Sequence, residues 1–116
     1  MKEAILLLLG LLANPAIGQT IFSQNFDGMA VGSTVSVNDP SHWRTWNDMP
    51  GTIQDAPVMD SISLSPNNSL AFIQEYPGDQ IGPVDQLLLL GDRVSGSFVL
   101  SWSMNIRAGH GAYIIL

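Results

Sequence analysis

The sequence predicts an all-β chain, a sandwich or a barrel, preceded by an export leader. Three observations predict it. No helical period appears after residue 18. Ser97 to Arg107 alternates apolar and polar residues, with Phe98, Leu100, Trp102, Met104 and Ile106 on one face and only Val99 out of pattern. Gly and Pro turn pairs divide the rest into short segments, as all-β folds require.

The leader comes first. Met1-Lys2-Glu3 is followed by an unbroken apolar run from Ala4 to Ala13, then Asn14-Pro15, then Ala16-Ile17-Gly18. Charged start, apolar core and small residues before Gln19 make a secretory signal peptide over 1–18. The apolar run would make a helix of roughly 15 Å, about half a bilayer core, so no stable membrane span is expected. The partner implied is the secretion machinery, and the destination is the cell surface or the medium. The domain proper is 19–116.

Composition narrows the class. There is no cysteine in the chain, which excludes a disulfide scaffold, a cysteine nucleophile and a thiolate metal site. An exported protein without disulfides fits a bacterial source better than a small eukaryotic secreted domain. The net charge is −6, with four basic residues in all. A nucleic-acid surface needs clustered Lys and Arg, so that partner is not expected. Docking on anionic lipid is disfavoured for the same reason.

The strands follow in order. Thr20–Gln24 is a short candidate after the cleavage site. Asp27-Gly28, Asn38-Asp39-Pro40 and Pro50-Gly51 mark turns. Ile62–Leu64 is a candidate for local pairing. Ser65-Pro66-Asn67-Asn68 turns into a strand over Ser69–Glu75. Pro77-Gly78-Asp79 and Gly82-Pro83 turn again. Asp85–Leu90 holds four consecutive leucines, which suits a strand covered on both faces or a short buried helical turn. Ser97–Arg107 is the clearest strand, with Trp102 in its core face. Ala108-Gly109-His110-Gly111 turns it into Ala112–Leu116, giving an antiparallel hairpin. The apolar run Tyr113–Leu116 lacks a polar tail, so the sandwich is expected to be incomplete and to continue in a longer protein.

These segments resemble a known family. Phe22-Ser-Gln-Asn-Phe-Asp-Gly28 after a signal peptide is similar to the opening strand of secreted Bacteroidetes β-sandwich modules. Trp43-Arg-Thr-Trp46 with Pro50-Gly51-Thr52, Asn67-Asn68-Ser69-Leu70, and Gly96 to Met104 match further pieces in order. Those modules resemble concanavalin A-like, laminin G-like jelly rolls and often open proteins that end in a type IX secretion sorting domain. The resemblance implies a secreted or surface module that binds a glycan or matrix component. Such sandwiches run to about 200 residues, so this chain looks truncated beside them.

Glycoside hydrolysis uses two paired carboxylates, and the only glutamate after the leader is Glu75. No Gly-x-Ser-x-Gly elbow occurs. His42 and His110 stand in a loop and a turn without metal-ligand spacing or a nearby acid partner. The chain is therefore expected not to be an enzyme. Calcium takes oxygen ligands from loop Asp and Asn, and Asn25 with Asp27, or Asp55 with Asp60, offer them. Asn67-Asn68-Ser69 matches a glycosylation sequon, a chance match in a bacterial protein. Sugar recognition uses exposed aromatic faces flanked by polar groups. Trp43 and Trp46 lie in a polar stretch with Arg44, Asn47 and Asp48, and on a strand would face opposite sides. The expected function is a non-catalytic exported module with a glycan or matrix ligand. The alternatives are a spacer domain, or an accessory domain of a hydrolase whose catalytic part lies beyond residue 116.

Overall fold

The computed structural model describes residues 18–72 and 84–116. The apolar part of the leader, the end of the predicted strand Ser69–Glu75 and the turns at Pro77 and Gly82 lie outside the described residues. Within them the chain is β-rich with little helix. One helical turn, α1 (Val35–Asn38), and four short strands, β1 (Trp43–Thr45), β2 (Val58–Met59), β3 (Ser69–Leu70) and β4 (Gln86–Leu88), form two small antiparallel sheets. Among the described residues, no helix is long and apolar enough to cross a membrane.

The first sheet pairs β1 with β4, Trp43 opposite Leu88 and Thr45 opposite Gln86. Two backbone bonds extend it: Leu89 N–H to the His42 carbonyl at 2.7 Å, and Trp46 N–H to the Asp85 carbonyl at 3.1 Å. The four leucines therefore belong to a strand region rather than a helical turn. They are half-buried, because the sheet has only two strands.

The second sheet pairs β2 with β3, Val58 opposite Leu70. Its free edge is taken by residues 32–35. Gly32 N–H donates to Val58 O, Val58 N–H to Ser33 O, and Val35 N–H to Ala56 O. Strand β2 thus has a neighbour on each side, and the apolar core gathers there. Val35, Ala56, Val58 and Ala71 are buried. Ala56 and Val58 point the same way because they are two apart in extended chain. Five polar residues share this interior: Ser36, Thr45, Gln54, Asp55 and Asn68. So small an apolar core leaves hydrogen bonding to specify much of the packing.

Asp55 is the hub of that polar interior. It is 1% exposed. One carboxylate oxygen accepts Ser36 N–H and Gln86 Nε2, each at 3.1 Å; the other accepts Gly51 N–H at 2.9 Å. Burial raises its pKa, but the Gly51 and Ser36 amides and the Thr34 and Ser36 hydroxyls outweigh that and hold it below the ordinary value. Gln86 completes the link by donating to Gln54 O and accepting from Ser36 Oγ. One carboxylate thereby joins α1, the loop at Gly51 and β4.

Several expectations are corrected. Ser97–Arg107 is in no ladder. Its apolar face is open: Phe98 is 68% exposed, Met104 48% and Ile106 51%. Trp102, expected in the core, is 54% exposed. Alternation states which residues share a face; it does not supply the strand that covers them. The turn after it is present, with His110 N–H on Arg107 O at 3.1 Å and Gly109 at φ +79°. Ala112–Leu116 returns beyond that turn without pairing. Thr20–Gln24 and Ile62–Leu64 are likewise unpaired. The helical turn α1 was not expected, since four residues are too few to display a period.

Candidate functional site

Strand β1 ends in a tight turn. Thr45 accepts Asp48 N–H at its carbonyl and Met49 N–H at its hydroxyl, at 3.1 and 2.6 Å. Asp48 takes the left-handed conformation at φ +56°, which Asp tolerates better than most residues. This geometry drives the chain outward, and Trp46 stands 68% exposed at the turn.

Polar neighbours surround it in sequence and are themselves held. Arg44 Nε lies 3.7 Å from Asp48 Oδ1, an exposed ion pair of small energetic value. Asn47 Nδ2 donates to Gln54 Oε1 at 3.2 Å, which anchors the turn to the buried segment next to Asp55. Thr52 Oγ donates to Met49 O at 2.8 Å. Arg44, Trp46, Asn47 and Asp48 therefore lie on one braced turn.

Trp43 is separate from them. It is half-buried and packs edge-on to Phe22 at 6.4 Å and tilted to Phe26 at 5.9 Å between ring centroids. Its indole Nε1 is buried and has no hydrogen-bond partner among the described residues. Of the two tryptophans, one closes the aromatic cluster over β1 and the other is presented to solvent.

The sequence reading missed an acid next to His42. Asp39 lies three residues before it, and His42 Nδ1 sits 2.9 Å from Asp39 Oδ2. Ser41 Oγ donates to Asp39 Oδ1 at 2.6 Å and lies 3.1 Å from the same ring nitrogen. The Ser41 bond first, then the His42 contacts, lower the Asp39 pKa. The signal available was the Asp-x-x-His spacing across a Pro-containing turn. The hydroxyl and the carboxylate share Nδ1, whereas a hydrolytic triad places its serine on the opposite ring nitrogen. Phe22 packs against the ring at 4.7 Å between centroids, tilted by 38°. His42 and Phe22 line an open groove of about 680 Å³ together with Leu88–Leu90 and Asp92.

The proposed calcium ligands are distributed differently. Asp27 Oδ1 accepts Ser65 Oγ and Asn68 N–H, both at 2.8 Å, and Oδ2 accepts Asn25 Nδ2 at 2.9 Å. Asn25 Oδ1 accepts Asp27 N–H at 3.2 Å. The Asn68 amide reaches back to Phe26 O and Met29 O. These bonds staple the 25–29 loop to the start of β3, and the Asn68 and Ser65 donors lower the Asp27 pKa. Asp55 is buried in its own network, while Asp60 is exposed. Among the described residues, no group of three or more His, Asp or Glu converges as a metal site.

Compared with protein-family models, with curated proteins and with solved structures, the chain matches none.

Proposed function

We propose that the chain is a non-catalytic β-sandwich module of a bacterial exported protein, and that it binds a glycan or matrix ligand through the turn after β1. The carrying observation is Trp46, 68% exposed on a turn whose flanks are fixed by hydrogen bonds. A rigid aromatic face costs little conformational entropy to present and stacks on the C–H face of a sugar ring. Arg44, Asn47 and Asp48 supply donors and acceptors for hydroxyls beside it. Trp43 supports the turn from the aromatic cluster.

The wider reading follows the sequence. The leader over 1–18 directs the chain to the secretion machinery and then to the cell surface or the medium. The β-rich fold is compatible with an all-β class; the jelly-roll, concanavalin A-like architecture rests on the resemblance of the sequence motifs to secreted Bacteroidetes modules, including those of type IX secretion proteins. The acidic balance of −6 leaves no basic surface for nucleic acid.

A glycan array probed with the whole chain and with Trp46→Ala tests the binding reading. A set of glycans bound by the parent and lost by the variant, with unchanged urea unfolding, is the expected outcome. Equal binding by both proteins, or binding by neither, would overturn it.

A further inference from the structure

We infer that the chain cuts itself once, at the peptide bond between Asp39 and Pro40, with the Asp39 carboxylate as nucleophile and His42 as proton donor. The reaction is a single event on the chain's own backbone. It is separate from the turn at Trp46 and independent of what that turn binds.

The bond is the first reason. Asp39-Pro40 is the one Asp–Pro pair in the chain. Proline makes the link a tertiary amide whose nitrogen carries no hydrogen. That nitrogen therefore cannot attack the aspartate side chain and close a succinimide, the common side reaction of aspartyl peptides. Attack in the other direction remains open: the carboxylate reaches its own main-chain carbonyl through a five-membered ring.

The setting is the second reason, because Asp39 is held at every polar group. Its N–H donates to Val35 O at 2.9 Å, and its carbonyl oxygen accepts Trp43 N–H at 2.9 Å and His42 N–H at 3.2 Å. Two backbone donors on a scissile carbonyl stabilise the charge that gathers on its oxygen when the carbon is attacked. At the side chain, Ser41 Oγ donates to Oδ1 at 2.6 Å, and His42 Nδ1 lies 3.0 Å from Oδ1 and 2.9 Å from Oδ2. The carboxylate is only 21% exposed. Nucleophile, carbonyl and proton donor all fall within residues 39–42, so little entropy is lost in bringing them together.

The step balances as follows. An Asp39 carboxylate oxygen bonds to the Asp39 carbonyl carbon, and the carbon–nitrogen bond to Pro40 breaks. Its electron pair leaves on nitrogen, which takes the proton of the His42 imidazolium. Asp39 is now a cyclic anhydride, Pro40 a free amine and His42 neutral. Water adds to the anhydride and opens it to two carboxylates. The two protons released go to the Pro40 amine and to His42.

The cut leaves the fold joined. Gly32 to Val58, Val58 to Ser33, Val35 to Ala56 and Ser36 to Asp55 are hydrogen bonds that cross from one product to the other. Denaturing conditions are needed to see two pieces.

The charged groups at His42 are Asp39 in its own turn and Asp92 in the lining of the groove; Phe22 and Leu88–Leu90 are apolar. Cutting needs an imidazolium and an ionised carboxylate together. The rate should rise from about pH 8 to about pH 5, where imidazole gains its proton. It should fall again only below about pH 4, where carboxylates lose their charge.

The test is the intact mass of the whole chain under denaturing conditions, after days at about pH 5.5 and about pH 8. At the lower pH two fragments are expected, one ending at Asp39 and one beginning at Pro40, summing to the parent plus one water. Urea above the unfolding midpoint, at the same pH, should stop the cut, because it dissolves the turn and leaves the bond. Asp39→Ala should abolish cutting, and His42→Gln should slow it by about 100-fold or more. Hydrogen exchange at the amides of Trp46 and Leu89, which bond across β1 and β4, reports whether each variant is folded. If neither folds, the urea comparison and the pH profile of the parent decide. An uncut chain, a cut at another bond, equal rates with and without urea, or a folded His42→Gln as fast as the parent would each overturn the inference.

Discussion

Replacing Asp55 by Ala should be the most damaging single change in this chain. The side chain is 1% exposed and accepts three hydrogen bonds, from Ser36 N–H, Gly51 N–H and Gln86 Nε2. Hydrogen bonds to a charged group contribute about 1.5–3 kcal/mol each, and a buried donor left without its acceptor costs about 1–3 kcal/mol. Some water will enter the space, so the three together are worth about 3–5 kcal/mol rather than their full sum. A domain of this size has about 5–15 kcal/mol of stability, so the loss takes a large share. With a urea dependence of about 1–2 kcal/mol per molar, the midpoint should fall by about 1.5–5 M. Asp55→Asn keeps one oxygen for Ser36 and Gln86 but turns an NH2 toward Gly51 N–H, and should fall between Ala and the parent. Asp60→Ala, at an exposed acid, serves as the control and should stay within about 0.5 kcal/mol. Urea unfolding followed by tryptophan fluorescence reads all four proteins. An Asp55→Ala midpoint equal to that of Asp60→Ala would refute the hub.

Acid should destabilise the fold. The Asp55, Asp27 and Asp39 pKa values are lowered from 3.8. Such groups stabilise the native state above their unfolded pKa, and that stability is lost as pH falls through the depressed native values. Thermal melts should therefore hold from pH 7 to about 5 and drop below about 4; a flat profile down to pH 2 would count against the networks. Gly51→Ala should cost about 1–2 kcal/mol, because Gly51 has φ +77° and a Cβ there would lie 3.3 Å from Val37 Cγ2; an unchanged urea midpoint would contradict that. Calcium at about 1 mM, the range of weak extracellular sites, should not move the melting temperature, since Asp27 and Asp55 already spend their oxygens on protein donors. A clear upward shift would show that the loops rearrange to take the ion.

The β class was legible because turn residues punctuate the chain at short intervals. The start of β3 was found from the turn Ser65–Asn68, and Asp85–Leu90 was left between a strand and a helical turn, which pairing with β1 decides for the strand. The partners were not legible. Pairing β1 with β4 joins segments some forty residues apart, and neither carries a local signal for the other. Ser97–Arg107 shows the opposite failure: its pattern is the clearest in the chain, yet it stands in no ladder. Among the site residues, the sequence grouped Arg44, Trp46, Asn47 and Asp48 because a polar turn is local. It set Trp43 and Trp46 on opposite sides of a strand without saying which faces inward; packing against Phe22 and Phe26 makes it Trp43. Asp55 looked like one loop acid among several, since burial by Ser36 and Gln86 comes from distant chain.

The antiparallel pairing of β1 with β4 also sets a timetable. Thr45 has its register partner at Gln86, and Ser36 shares Asp55 with that same glutamine. Ribosomes add about 5–20 residues each second, so β1 waits on the order of 2–8 s for its partner to be synthesised. Contacts of such long sequence separation also form slowly once the chain is complete. During that interval the emerging polypeptide has no ladder to close around β1. The two sheets therefore close in order: β2 with β3 once Leu70 has been made, and β1 with β4 only after Leu88.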